Sequence, residues 1–277
     1  SDDLIQLICN AFLDPEDEAI HTEYGFLVFP QSIRIAGGTP VLAKDKNFTA
    51  SLENIQEKIT KKTKIIFLAN PNNPTGTMVC EEEIRSFFKD IRSDILVVLD
   101  SAYAEYVDNK DYTDGSKFVE EFDNIIMLRT FSKLHALASL RLGWAYCPIK
   151  VANILKSIRP AFSVNALASF AGIAAVEDIK FQELSFAHNK KYKDWIFEKL
   201  ESHQIDFIPS ETNFFLLNFK SEELASDALN FLEKNNIFVR GMRPYNLNSY
   251  LRITIGEKNE MEKLLDCLLE FLGNAKK

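Results

Sequence analysis

The chain has 277 residues, 46% of them apolar and 26% charged, enough for one large or two ordinary domains with sizeable cores. A net charge of −8 and a pI near 5.2 argue against a general nucleic-acid surface, and no apolar run approaches the roughly 18 residues of a membrane span. Cys9, Cys80, Cys147 and Cys267 stand far apart with no CxxC pair, which reads as reduced thiols in a cytoplasmic protein, not as a disulfide or zinc framework.

The sequence begins Ser1-Asp2-Asp3-Leu4 without a signal-peptide pattern, and helical apolar spacing runs from Leu4 to Phe12. The chain thus opens directly into a structural element, and a segment upstream of it is expected to be missing. Strands are predicted at Thr39–Ala43, Lys64–Ala69, Ile95–Asp100, Asn124–Thr130 and Leu142–Cys147, with helices over Ser51–Ile59, Glu81–Arg92 and Gly115–Glu121 between them. Runs such as Ile95–Leu99 do not alternate, so both faces should be covered. The fold class is α/β: a buried, mostly parallel sheet with helices on each side. After about residue 148 helical spacing dominates from Val151 through Leu200. Asn213–Phe219, a helix over Glu222–Lys234, strands Ile237–Arg240 and Tyr250–Ile255 and a closing helix from Glu257 then read as a smaller α+β domain, joined by a long helix near residues 179–203. The expected division is 1–180 for the large domain and 181–277 for the small one.

The polar residues that carry chemistry fall just past strand ends, where open α/β sheets bind ligands. Lys133 comes after the apolar run 124–128 and sits among Arg129, Thr130 and Ser132, a setting suited to a Schiff base with a phosphate-bearing aldehyde cofactor. Asn70-Pro71-Asn72-Asn73-Pro74-Thr75-Gly76 reads as a turn on composition alone. Its two prolines fix φ, and a rigid loop of this kind can present one Asn side chain. Asp100 closes a buried strand, where a carboxylate is costly without a partner. A helix cap would satisfy it; so would a protonated pyridine nitrogen, with Tyr103 donating to the ring oxygen. Thr130, Ser132 and Arg141 supply two hydroxyls and a bidentate fork for a phosphate, and the helix end at Ser1 and Asp2 adds free N–H groups. Phe26 or Phe29 could stack on the ring, although both suit a core equally well. His21, His135, His188 and His203 show no metal-ligand spacing, so no metal is expected. Glu81-Glu82-Glu83 and Lys190-Lys191 read as solvated helix faces, the acids also suiting a helix N-terminus.

These motifs, taken with Leu140-Arg141-Leu142-Gly143 and Tyr250-Leu251-Arg252-Ile253-Thr254-Ile255-Gly256, occur in one order along the whole chain. Together they resemble a fold-type-I, pyridoxal-phosphate-dependent aminotransferase, and most of all the histidinol-phosphate aminotransferase family. The resemblance implies pyridoxal 5'-phosphate as cofactor. It makes Lys133 the lysine that carries the cofactor and the base of the proton shift. Asp100 pairs with the pyridinium, Asn73 and Tyr103 with the ring oxygen, and Phe26 stacks on the ring. Thr130, Ser132, Arg141 and the backbone of Ser1 and Asp2 hold the phosphate. Arg252 binds the substrate α-carboxylate, Arg240 the substrate phosphate, and Asn213-Phe214 matches the family's Asn-Phe at the start of a small-domain strand.

The implied reaction is ping-pong transamination between an amino donor and a 2-oxo acid in histidine biosynthesis, in a homodimer whose sites lie at the interface. Two departures stand out. Leu134-His135-Ala136-Leu137-Ala138-Ser139 replaces the family's aromatic and glycines, so His135 is read as a packing substitute. The family's upstream arm, part of its small domain, and a tyrosine that reaches the partner's cofactor phosphate are absent. The alternatives are an aromatic aminotransferase, a threonine-phosphate-type decarboxylase, an aminotransferase-like sensor, or a fragment that binds cofactor poorly.

Overall fold

The computed structural model of the protein describes residues 1–275. In chain order the first region holds α1 (Asp2–Phe12), β1 (Glu18–Thr22), α2 (Val28–Ile35), β2 (Thr39–Ala43), α3 (Leu52–Glu57), β3 (Thr63–Ala69), α4 (Glu81–Asp90), β4 (Leu96–Asp100), α5 (Ser116–Glu121), β5 (Ile125–Thr130) and β6 (Gly143–Tyr146). Its six strands form one sheet in the order β2-β1-β3-β4-β5-β6, parallel throughout except for the antiparallel β5–β6 pair. The non-alternating runs have the expected cause. Along β3, Ile65 and Phe67 enter one core with Ile5, Phe29 and Leu128, while Ile66 and Leu68 enter the opposite core with Ile55, Phe88 and Phe118. Side chains alternate across a strand, so a sheet buried on both faces must be apolar at every position.

Three helices come next, where the sequence shows one helical texture: α6 (Ile149–Ile158), α7 (Ala166–Glu177) and α8 (Ile179–Ser202). The breaks have local causes. Pro160 lies just past α6, the Asn165 side chain accepts the Ala168 N–H at 2.9 Å to start α7, and the Asp178 side chain accepts the Phe181 N–H at 3.0 Å to start α8. The last region holds β7 (Phe207–Ile208), β8 (Phe214–Asn218), α9 (Glu222–Lys234), β9 (Arg240–Gly241), β10 (Tyr250–Thr254) and α10 (Lys258–Ala275), with an antiparallel sheet in the order β7-β8-β10-β9. Phe215, Leu217, Leu251 and Ile253 pack under α8, α9 and α10. Leu216 joins a cluster with Tyr24 and Leu27 of the first region.

Two elements are not apparent from sequence pattern. β1 is Glu-Ala-Ile-His-Thr, a short segment behind an acidic stretch with no apolar run to mark it, yet it pairs with β2 and β3 on both sides. Its neighbours impose the strand. α2 has no polar cap and carries Pro30 in its first turn, where proline costs little. The strand expected at Ile237–Arg240 shrinks to Arg240–Gly241, because pairing with β10 begins only at Arg240.

The two sheets meet at the loop after β3. Gly76 accepts the Glu211 N–H at 2.8 Å, has φ of +75°, and a Cβ there would overlap the Ser210 hydroxyl. Gly76→Ala therefore combines backbone strain of about 1–2 kcal/mol with overpacking of about 1–3 kcal/mol. Chemical denaturation should show a loss of about 2–5 kcal/mol; a loss below ~0.5 kcal/mol would contradict the close approach.

Candidate active site

The carboxyl ends of β3, β4 and β5 lie side by side in register, Ala69 opposite Asp100 and Asp100 opposite Leu128. The loops that leave these three strand ends therefore project into the same space. That space is a cavity of about 270 Å³ at the junction of the two sheets. Ser1, Asp2, Phe26, Asn73, Asp100, Tyr103, Thr130, Ser132, Lys133, Arg141, Arg240 and Arg252 all line it. Asn213, expected at the substrate, is outside the lining; its main-chain carbonyl accepts the Ile255 N–H at 2.9 Å. Phe29 is fully buried and stacked on Phe67, which leaves Phe26 as the aromatic at the cavity. Sequence pattern did not single out Ala69, Pro71, Ala102 and Ala138, which complete the lining. Each is adjacent to, or inside, one of the motifs, but small apolar residues carry no chemical signal.

Asp100 is 5% exposed, and its Oδ1 accepts one hydrogen bond, from the Ala102 N–H at 3.2 Å. Burial pushes its carboxyl up to about 6, against the pull of that N–H and of nearby positive charge. It is an under-satisfied buried acceptor. Lys133 is drawn down from the ordinary lysine range, first by burial and then by Arg252; its Nζ stands 5.0 Å from the centroid of the Tyr103 ring. Burial holds the Tyr103 phenol above the usual range, so it stays a donor.

On one side of the cavity, Ser132 N–H donates to Thr130 Oγ1 at 3.1 Å, and Arg141 bridges Ala138 O at 2.8 Å and Asp2 Oδ2 at 3.1 Å. On the other side, Arg240 and Arg252 are cross-strand partners of β9 and β10. Arg252 Nη1 donates to Asn73 Oδ1 at 2.6 Å, while its buried Nε has no partner. Arg252 is drawn below the usual arginine range by burial first and by Arg240 as well.

His135, read as a packing substitute, lies 4.8 Å from the Phe131 ring at an interplanar angle of 32°. The four cysteines are free. Among the described residues no cluster suits a metal ion, and no helix is long and apolar enough to cross a membrane.

The side chains present fit pyridoxal 5'-phosphate. A buried carboxylate short of partners suits a cationic ring nitrogen. A depressed lysine suits an aldehyde. Two hydroxyls and Arg141 suit a phosphate, and the Arg252 guanidinium, which lines the same cavity, suits a substrate anion.

The family described as aminotransferase class I and II matches residues 1–268, and the chain belongs to it. The relatives narrow this class. Histidinol-phosphate aminotransferase of Paramagnetospirillum magneticum is 42% identical over 275 residues, 99% of this chain and 76% of the relative; that of Rhodospirillum centenum is 40% identical over 273 residues, 98% and 75%. Within the class, the chain falls in the histidinol-phosphate aminotransferase family. The crystal structure of histidinol-phosphate aminotransferase from Sinorhizobium meliloti in complex with pyridoxal-5'-phosphate superposes with a TM-score of 0.90 at 25% identity, over 99% of this chain and 75% of that one.

The buried Asp100 has a stability consequence. Its carboxyl, raised from 3.8 to about 6, keeps its proton longer in the folded than in the unfolded chain. Stability of the cofactor-free protein should therefore fall as pH rises from about 4 to about 6, by an amount on the order of 2–3 kcal/mol. Asp100→Asn should raise the thermal midpoint at pH 7 and leave it nearly unchanged at pH 4. A midpoint that is lower at pH 7 would contradict this account.

Proposed function

We propose that the protein is a histidinol-phosphate transaminase that uses pyridoxal 5'-phosphate to exchange an amino group between histidinol phosphate and 2-oxoglutarate. One observation carries the substrate reading: two guanidinium groups, Arg240 and Arg252, share one small cavity with Lys133 and Asp100. Two cations beyond those near Thr130 and Ser132 suit a substrate with an anionic group of its own. The names of the relatives agree with this reading.

The cofactor supplies an aldehyde that captures amines and a ring that takes up the electron pair left when a Cα proton departs. The remaining work falls to the chain. Lys133 Nζ, whose charged form is disfavoured by burial and by Arg252, accepts the Cα proton and returns it two atoms away, to the carbon that was the aldehyde's. Asp100 keeps its negative charge opposite a ring nitrogen, which lowers its own pKa and holds that nitrogen protonated. Tyr103 and Asn73 donate to the ring oxygen, and Phe26 covers one ring face. Ser132, Thr130, Arg141 and the main chain at Ser1 and Asp2 clasp the phosphate. Arg252, oriented by Asn73, takes the carboxylate of glutamate, and Arg240 takes the substrate phosphate. Asn213, outside the cavity lining, enters through its neighbour Phe214.

We assign residues 1–180 to the cofactor domain and 181–277 to the small domain; the division falls in the first turn of α8, which continues to Ser202 and packs against α10. The free cysteines support a reducing, cytoplasmic setting. We further propose a homodimer. α7 is Ala-Leu-Ala-Ser-Phe-Ala-Gly-Ile-Ala-Ala-Val-Glu, apolar on every side, yet of its residues Ala168 and Gly172 alone are buried. An all-apolar helix belongs in an interior. Phe162, 98% exposed, with Leu167, Phe170 and Ile173 extends that face. Wild type should elute at twice 31.6 kDa, and Leu167→Glu with Phe170→Glu should shift it to the monomer; an unshifted elution would place the interface elsewhere.

The catalytic reading is tested by half-reactions with histidinol phosphate, phenylalanine and glutamate. Histidinol phosphate and glutamate should convert the cofactor to its amine form; no response to histidinol phosphate would overturn the substrate reading, and release of carbon dioxide would select a decarboxylase. Borohydride treatment should leave the cofactor's mass on the Lys133 peptide and on no other. Lys133→Ala should lower turnover by at least ~10²–10⁴-fold, and full activity in that variant would overturn the assignment.

A further inference from the structure

We propose that Phe214 is a positioning residue of this site: its ring fixes the plane of the Arg252 guanidinium relative to the Lys133 amine, and so decides how tightly a substrate anion is held. The proposal rests on Arg252 being the anion-binding arginine.

Four side chains form one column: Lys133 and Tyr103 from the turns after β5 and β4, Phe214 from the start of β8 and Arg252 from the middle of β10. Lys133 Nζ stands 5.0 Å from the centroid of the Tyr103 ring. The Tyr103 and Phe214 rings meet edge to face, 5.2 Å apart at 89°. Arg252 Cζ stands 4.6 Å over the Phe214 ring. The order is amine, phenol, phenyl, guanidinium, with the two aromatic rings as spacers between the two cationic groups.

The geometry comes from the sheet. Arg252 pairs with Leu216 and Thr254 with Phe214, so Phe214 is a diagonal neighbour of Arg252 on the same face of an antiparallel pair. β8 is flanked by β7 and β10, and Phe214 is 2% exposed. The ring is therefore held by the small sheet behind it and by Tyr103, Ala102 and Leu134 in front.

Arg252 needs this support. Its Nη1 is tied to Asn73, which fixes one corner of the fork but leaves rotation about that contact. Its buried Nε has no protein partner. A guanidinium lying on an aromatic face is held in plane by the ring quadrupole. That keeps the fork in one plane against the cavity it lines. An aliphatic residue of similar size would fill the same volume but offer no such face.

The experiment uses the cofactor-loaded protein and two ringless variants, Phe214→Leu and Phe214→Met. The dissociation constant of succinate, an unreactive dicarboxylate, is read by calorimetry, and KM and kcat are read with glutamate. Both variants should raise the succinate constant and the glutamate KM about tenfold, equivalent to ~1.4 kcal/mol, with kcat within about threefold of wild type. Phe214→Tyr, which keeps the ring, should remain within about twofold. A ring that only fills space would shift thermal midpoints and leave the anion constant alone.

Succinate affinity within twofold of wild type in both ringless variants overturns the proposal, as does an equal loss in a folded Phe214→Tyr. Arg252→Ala separates the two levels. If it loses the anion while the ringless variants keep it, the role of Phe214 falls alone. If it too keeps the anion, or wild type binds neither succinate nor glutamate, the reading of Arg252 falls and the proposal with it.

Discussion

A buried charge must find a partner, and the candidate site is built around one that has too few. Asp100 ends β4 with a single hydrogen bond at 3.2 Å and almost no exposure. Water would solvate such a carboxylate far better than one N–H does. The protein tolerates this because β4 lies inside a sheet covered on both faces, which places the last residue of the strand in the interior. The same burial acts on Lys133 and Arg252, whose charged forms it disfavours. One constraint thus produces an acceptor that wants a cation, an amine whose charged form is disfavoured, and a guanidinium with an unused donor.

The two sheets meet because the site needs both. The first sheet supplies Asp100, Lys133 and the hydroxyls; the second supplies Arg240 and Arg252. The Asn73–Arg252 hydrogen bond, the Glu211 N–H to Gly76 contact and the Tyr103–Phe214 packing all cross that junction. All three involve the loop after β3 or the turn after β4, which also line the cavity. Stability at the junction and geometry at the site are therefore coupled, and a change in how the small sheet docks moves the arginines relative to the lysine.

Much of this was legible from the sequence because the cavity lies at strand ends. A long apolar run that stops at Asp100 or Thr130 announces both the strand and the polar residue it delivers. Order along the chain then linked Asn73, Asp100, Lys133, Arg141 and Arg252. The features that escaped have physical reasons. β1 is a strand through its pairing on both sides, with no apolar run to mark it, and α2 hides behind Pro30. Asn213 shares a sequence motif with Phe214, but alternation along the strand start leaves one at the column and the other outside the cavity lining. Choosing between Phe26 and Phe29 required the packing of Phe29 on Phe67, a long-range contact that spacing does not encode.

Charge is distributed with the same logic. The molecule carries a net charge of −8, yet its cavity is lined by four cationic side chains, Lys133, Arg141, Arg240 and Arg252, against two carboxylates, Asp2 and Asp100. Asp2 already holds Arg141 at 3.1 Å, and Asp100 faces a ring nitrogen in the proposed loaded state. The arginines of the small sheet then remain without a carboxylate in the lining. In an enclosed, poorly solvated space such an excess focuses the field toward anions, while the acidic exterior repels them elsewhere. A ligand that arrives with a phosphate or a second carboxylate is drawn to the one place where the lysine can reach it.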